Sequence, residues 1–254
     1  MSDLHAVTSG QGPMVLFVHG LGCTGAFWTD VIARLEGSYT CVAVDLDGFG
    51  ASPPLPDGMQ MADWAGRLEE LLVELAPGRP VVAVGHSLGG MVVQELVLRA
   101  PEAIGGVVLA NTIAGATDHV REINGTLADL AQEVGSVRLA EAMAAGLFGP
   151  ATLEGTERAR ARFAEQCGGT NPRSLVGGLR AIMAFDARPR LAQVAVPALV
   201  VTGEYEGNRA DQDVLVDALP DATLLVMADA GHMAPAEDPG TFAAALTPFL
   251  AHLA

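Results

Sequence analysis

Along the chain, short runs of uninterrupted apolar residues alternate with longer segments in which apolar positions return every three or four residues. The run Met14-Val15-Leu16-Phe17-Val18-His19 offers no polar position to solvent until its last residue, as expected of a parallel strand covered on both faces. A helix over 26–35 follows, with Trp28 and Ile32 four apart on one face. The same reading gives a strand over 39–44, a helix over 61–75 and a strand over Val81-Val82-Ala83-Val84. A helix then begins after Leu88 and stops near Arg99-Ala100-Pro101, where a proline cannot continue it. Gly106-Val107-Val108-Leu109-Ala110-Asn111 is the next strand, and Leu4 to Thr8 reads as an edge strand before the turn Ser9-Gly10-Gln11-Gly12-Pro13.

Four alternations of strand and helix predict an α/β fold, a mostly parallel sheet flanked by helices. The alternation then stops. Residues 115–190 are rich in Ala, Leu, Glu and Arg and hold no convincing strand. Gly146, Gly149, Gly155 and the Gly168-Gly169 pair are expected to separate short helices there. Strands resume at 198–202 and 223–227, with a helix over 211–219 between them and another over 241–253. The expected organisation is one core domain, 1–114 and 191–254, carrying a helical lid insertion over 115–190.

Composition narrows the chemistry. The formal charge of −16 leaves no clustered positive surface for nucleic acid or an anionic membrane. All 14 basic residues are arginine, which removes Schiff-base, pyridoxal-lysine and Walker-lysine chemistry. Cys23, Cys41 and Cys167 are few, odd in number and far apart, as in a reducing compartment. No Cys or His pair has zinc spacing, and neither a basic leader nor an apolar run of transmembrane length occurs. We therefore expect a cytoplasmic protein, monomer or homodimer, with no metal, no cofactor, no membrane association and no nucleic-acid partner.

The chemistry concentrates where the strand ending at Val84 meets the helix beginning after Ser87. Gly85-His86-Ser87-Leu88-Gly89 is the G-x-S-x-G pattern of a nucleophile elbow, which thrusts the serine Oγ into the open and needs glycines where side chains would collide. Ser87 is the candidate nucleophile. Of six histidines, His232 lies in Asp229-Ala230-Gly231-His232-Met233-Ala234-Pro235, directly after the last strand and at the same end of the sheet, so it is the candidate base. His19 and His86 end strands and suit packing or backbone hydrogen bonding, His5 and His252 suit the surface, and His119 opens the insertion. An acid must hold the base, and the loop after the strand 198–202 offers Glu206, with Glu204 as competitor. Asp211 and Asp213 sit in a first helical turn, where acids favour the dipole. The glycine-rich loop Gly20-Leu21-Gly22 lets the Leu21 amide approach closely and pair with the Leu88 amide as an oxyanion hole.

The order Ser87, Glu206, His232 resembles that of the α/β-hydrolase superfamily. So do Val18-His19-Gly20-Leu21-Gly22, Asp45-Leu46-Asp47-Gly48-Phe49-Gly50-Ala51-Ser52, and the run Gly231-His232-Met233-Ala234-Pro235-Ala236-Glu237-Asp238-Pro239. The resemblance covers almost the whole chain and departs at Glu206, where members usually carry aspartate. Within it the chain resembles small bacterial carboxylesterases and 3-oxoadipate enol-lactonases, which implies a serine hydrolase acting on a small-molecule ester or lactone. Trp28, Asn111, Met143, Phe148, Arg188 and Met233 are the expected substrate contacts, with Arg188 or Arg180 placed to meet a substrate carboxylate. Carbon-carbon bond hydrolysis or lyase chemistry on the same fold is the alternative reaction. A ligand-binding receptor is the alternative of another class.

Overall fold

A computed structural model describes residues 2–207 and 209–253. Seven strands form one sheet: β1 (Ala6–Ser9), β2 (Met14–Val18), β3 (Thr40–Val44), β4 (Val81–His86), β5 (Ile104–Ala110), β6 (Ala198–Gly203) and β7 (Ala222–Met227). Their spatial order is β1-β3-β2-β4-β5-β6-β7, and only the β1–β3 pair is antiparallel. Burial follows position. Every residue of central β4 is buried, whereas the edge strands β1 and β7 keep half-exposed and exposed positions.

The helices α1 (Thr29–Leu35), α2 (Met61–Leu75) and α3 (Leu88–Arg99) belong to the first half of the sheet. Gln60 and Asp63 close a capping box at the start of α2, and its Trp64, Leu68, Leu71 and Leu72 form the buried face. In α3 the ten residues from Leu88 to Val97 are all buried, because the helix lies between the sheet and α2. Chain order reverses between β2 and β4, and in open parallel sheets the crevice at that switch point is where ligands bind.

Between β5 and β6 the chain forms α4 (Asp118–Leu147), α5 (Thr156–Gly169) and α6 (Pro172–Ala184). Gly149 and Gly155 separate α4 from α5, and Gly168-Gly169 end α5 before α6, as expected, but the break within α4 is not at Gly146. Gly146 continues α4, while Gly135 interrupts it with φ 76° and ψ −179°, a conformation that glycine alone adopts readily. The last elements are α7 (Arg209–Ala218), the single turn α8 (Ala234–Glu237) and α9 (Pro239–Leu253). Among the described residues no helix is long and apolar enough to cross a membrane.

Candidate active site

Ser87 sits between β4 and α3 with φ 52° and ψ −118°. A serine pays for that backbone conformation only where its surroundings leave no alternative. Its N–H donates to Ala110 O at 2.9 Å, and its carbonyl accepts from Thr112 Oγ1 at 2.7 Å. The flanking glycines are steric requirements: a Cβ on Gly85 would lie 2.4 Å from Gly89 O, and one on Gly89 would lie 2.4 Å from Val18 O. Gly20 faces the elbow so closely that a Cβ there would meet His86 Nδ1 at 2.7 Å and Ser87 Cβ at 3.2 Å. The 20–22 loop and the elbow are thus in contact.

Two other histidines hold this arrangement. His19 is fully buried, its Nδ1–H donating to Gly20 O at 2.8 Å while Nε2 accepts from Leu46 N at 3.0 Å. Burial lowers its pKa, so the ring is a neutral strut between two loops. His86 stacks on Phe27 with ring centroids 4.6 Å apart and donates from Nε2 to His232 O at 2.8 Å. Burial, with the neighbouring His232, takes His86 down to about 3.

His232 reaches Ser87 Oγ from Nε2 at 3.0 Å and Glu206 Oε2 from Nδ1 at 2.7 Å. Glu206 also accepts from Asn111 Nδ2 at 2.8 Å, and that amide donates to Gly231 O at 3.2 Å. Asn111 adopts φ 47° to make both contacts. Burial opposes a charge on His232, but the charge and hydrogen bond of Glu206 outweigh it, and the pKa ends above the ordinary histidine value. Glu204 points elsewhere, accepting the Asp229 N–H at 3.0 Å. Of the acids weighed from the sequence, Glu206 is the one hydrogen-bonded to His232.

Sequence reasoning gave no role to Glu237, which is buried in α8 and binds three donors. Its Oε1 accepts from Gly231 N at 2.9 Å, and its Oε2 accepts from Gly149 N at 2.9 Å and Thr156 Oγ1 at 3.2 Å. One carboxylate therefore ties the loop preceding His232 to the insertion.

A family model described as the alpha/beta hydrolase family matches residues 15–245. The chain belongs to the alpha/beta hydrolase family. It is 29% identical to a protein named for carbamate hydrolysis, RutD of Pseudomonas syringae pv. syringae, over 98% of this chain and 97% of that one. It is 28% identical to the pimeloyl-[acyl-carrier protein] methyl ester esterase of Vibrio vulnificus, with 98% of each covered. Its fold matches that of a thermophilic esterase from Thermogutta terrifontis with TM-score 0.91 at 23% identity, over 98% of this chain and 93% of that one. The chain is an α/β-hydrolase enzyme.

In this hydrolase Ser87, His232 and Glu206 open on a cavity of about 380 Å³ beneath the insertion. Leu21, Asn111, Met143 and Met233 line it, and so do Ile123 and Phe163, which the sequence reading did not select. Four expected contacts lie outside its lining. Trp28 is fully buried among Phe17, Phe27 and Phe242, so it is core. Phe148 packs against Phe163 and under the Arg160 guanidinium, behind the wall. Arg188 is held at 2.8 and 2.7 Å by both oxygens of Asp186, and Arg180 lines a separate groove beside residues 54–60. Cys23 is buried against Cys167, and burial pushes its thiol pKa up, which leaves it unreactive.

Proposed function

We propose that this hydrolase cleaves a carboxylic ester or lactone of a small molecule through an acyl-enzyme. The observation that carries the reading is the continuous relay from Ser87 Oγ through both His232 nitrogens to Glu206, at 3.0 and 2.7 Å. Ser87 Oγ attacks the carbonyl carbon while His232 Nε2 takes its proton. Glu206 holds the Nδ1–H tautomer and stabilises the imidazolium. The negative oxygen that forms is received by the Leu21 and Leu88 amides, the second at the positive end of α3. Collapse breaks the carbonyl-oxygen bond, and His232 returns its proton to the departing alkoxide or enolate. Water then attacks the acyl carbon with His232 again as base, releasing a carboxylic acid and Ser87. The helices α4 to α6 act as the lid over this chemistry.

Intact-protein mass spectrometry after a fluorophosphonate probe tests the assignment. We expect one adduct on wild type, none on Ser87→Ala, and much slower labelling of His232→Ala and Glu206→Gln. Labelling of Glu206→Gln at the wild-type rate would remove Glu206 from its role. No adduct on wild type would move the reading to ligand binding.

A further inference from the structure

The cavity wall carries an electrostatic message that the relay alone does not. Its lining is largely apolar, with Met91, Val120, Leu127, Met143, Phe163 and Ile182 among the residues that form it. Among the described residues no arginine reaches it, and the chain contains no lysine. The wall also carries the carboxyl group of Glu206, which accepts from Asn111 Nδ2 and is hydrogen-bonded to His232. An anionic group entering here leaves water, finds no countercharge and faces a buried carboxylate. Each of these disfavours it, and an unpaired buried charge is the costliest arrangement a site can accept. The nearby arginines are engaged elsewhere: Arg188 with Asp186, Arg190 with Glu95, Arg121 with Asp118 and Met183 O, Arg160 with Ala144 O and Arg209 with Asp213, while Arg180 lines the other groove.

We infer that this site takes uncharged esters or lactones with an apolar acyl chain and excludes acyl chains that end in a carboxylate. The inference rests on the proposed ester or lactone chemistry for its reaction but not for its binding selectivity. At about 380 Å³ the cavity lies at the small end of small-molecule sites, which run from about 300 to 1,000 Å³. A six-carbon acyl chain is a suitable probe.

The test compares p-nitrophenyl hexanoate with the mono-p-nitrophenyl ester of adipic acid, alike in length and differing in a terminal carboxylate. It is run near pH 8, where the terminal carboxyl of the adipate ester is fully ionised. We expect kcat/KM at least about 100-fold higher for the neutral ester, mostly through KM, because the chain end interacts alike in the ground and transition states. A ratio within about threefold, or reversed, overturns the inference. Ile123 is 44% exposed at the edge of the cavity, so Ile123→Arg adds a cation without disturbing the core. It should narrow the ratio at least about fivefold, whereas Ile123→Gln should not.

Calorimetric binding of the same two esters to Ser87→Ala separates this inference from the proposed chemistry. Tighter binding of the neutral ester by at least about tenfold supports the inference even where neither ester is turned over and Ser87 takes no fluorophosphonate. Equal affinities, a preference for the anion, or no binding of either overturns it.

Discussion

His86 and His232 lie side by side, ring centroids 5.2 Å apart, and burial pushes both towards the neutral form. They nevertheless titrate in opposite directions. His86 has a backbone carbonyl on one nitrogen and, among the described residues, no hydrogen-bond partner on the other, so burial takes it down to about 3. His232 has Glu206 at 2.7 Å, and its pKa rises above the ordinary value. The main difference is the carboxylate hydrogen-bonded to His232. Position in a buried loop makes a histidine a strut, and a charged partner that raises its pKa makes it a base.

The strongest way to break the contrast is to remove the base. His232→Ala should lower kcat/KM for a neutral p-nitrophenyl ester by at least about 10⁴-fold, the scale seen when a relay member is deleted. A loss under tenfold, measured with active-site titration to exclude contaminating esterase, would mean that His232 does not carry the proton.

Glu206→Gln sharpens the contrast instead. It keeps the shape but removes the main opposition to burial of His232, leaving the more distant charge of Glu237. Activity should fall about 10³- to 10⁴-fold through loss of the tautomer and of imidazolium stabilisation. The remaining activity should also move in pH. The base works unprotonated, so in wild type the acid limb of kcat/KM lies above about 6.5, the ordinary histidine value, and activity falls as pH drops through it. In Glu206→Gln that limb should shift to lower pH. An unmoved limb in the pH profile would detach the raised value from Glu206.

His86→Phe acts on the other partner. It retains the stack on Phe27 and deletes the donor to His232 O, leaving a carbonyl without that hydrogen bond. We expect kcat about tenfold lower with KM nearly unchanged, and a stability loss of about 1–3 kcal/mol in urea unfolding. Wild-type kcat would show that the His232 loop does not depend on this contact.

What could be read from the chain follows the same division between local and distant causes. Strands over 14–18 and 81–86 and the helix over 61–75 declare themselves through unbroken or periodic apolar residues, which local burial rules suffice to interpret. The spatial meeting of Ser87 with His232 follows from strand ends sharing one edge of the sheet. Gly135 and Gly146 look alike in sequence, and only packing of the insertion decides which one leaves the helix. Trp28 follows a glycine-rich loop, where core and cavity residues have the same composition. Arg188 has its partner two residues away in plain sight. That spacing does not bring side chains together on a helix, and it does so here because Asp186 is extended in a bridge to Gly115. Glu237 binds Gly149 and Thr156, residues more than 80 positions away, which no local pattern reports.

Glu237 therefore provides the smallest expected effect on activity. Its two oxygens receive three donors, so Glu237→Gln replaces one acceptor by an NH₂ group and sets donor against donor. The cost should be about 1–3 kcal/mol of stability, while Ser87, Glu206 and His86 still hold His232 and kcat/KM changes less than about threefold. Burial raises the Glu237 pKa above 4.5, so the folded protein takes up a proton more readily than the unfolded chain. Wild type should accordingly gain stability relative to Glu237→Gln as pH falls from the folded value towards about 4.5, because the protonated carboxyl keeps an oxygen on each side. Urea unfolding of both proteins between about pH 4.5 and pH 7 reads that gap directly. A gap that closes on acidification would mean that the carboxylate's charge, and not its pair of acceptors, joins the insertion to the His232 loop.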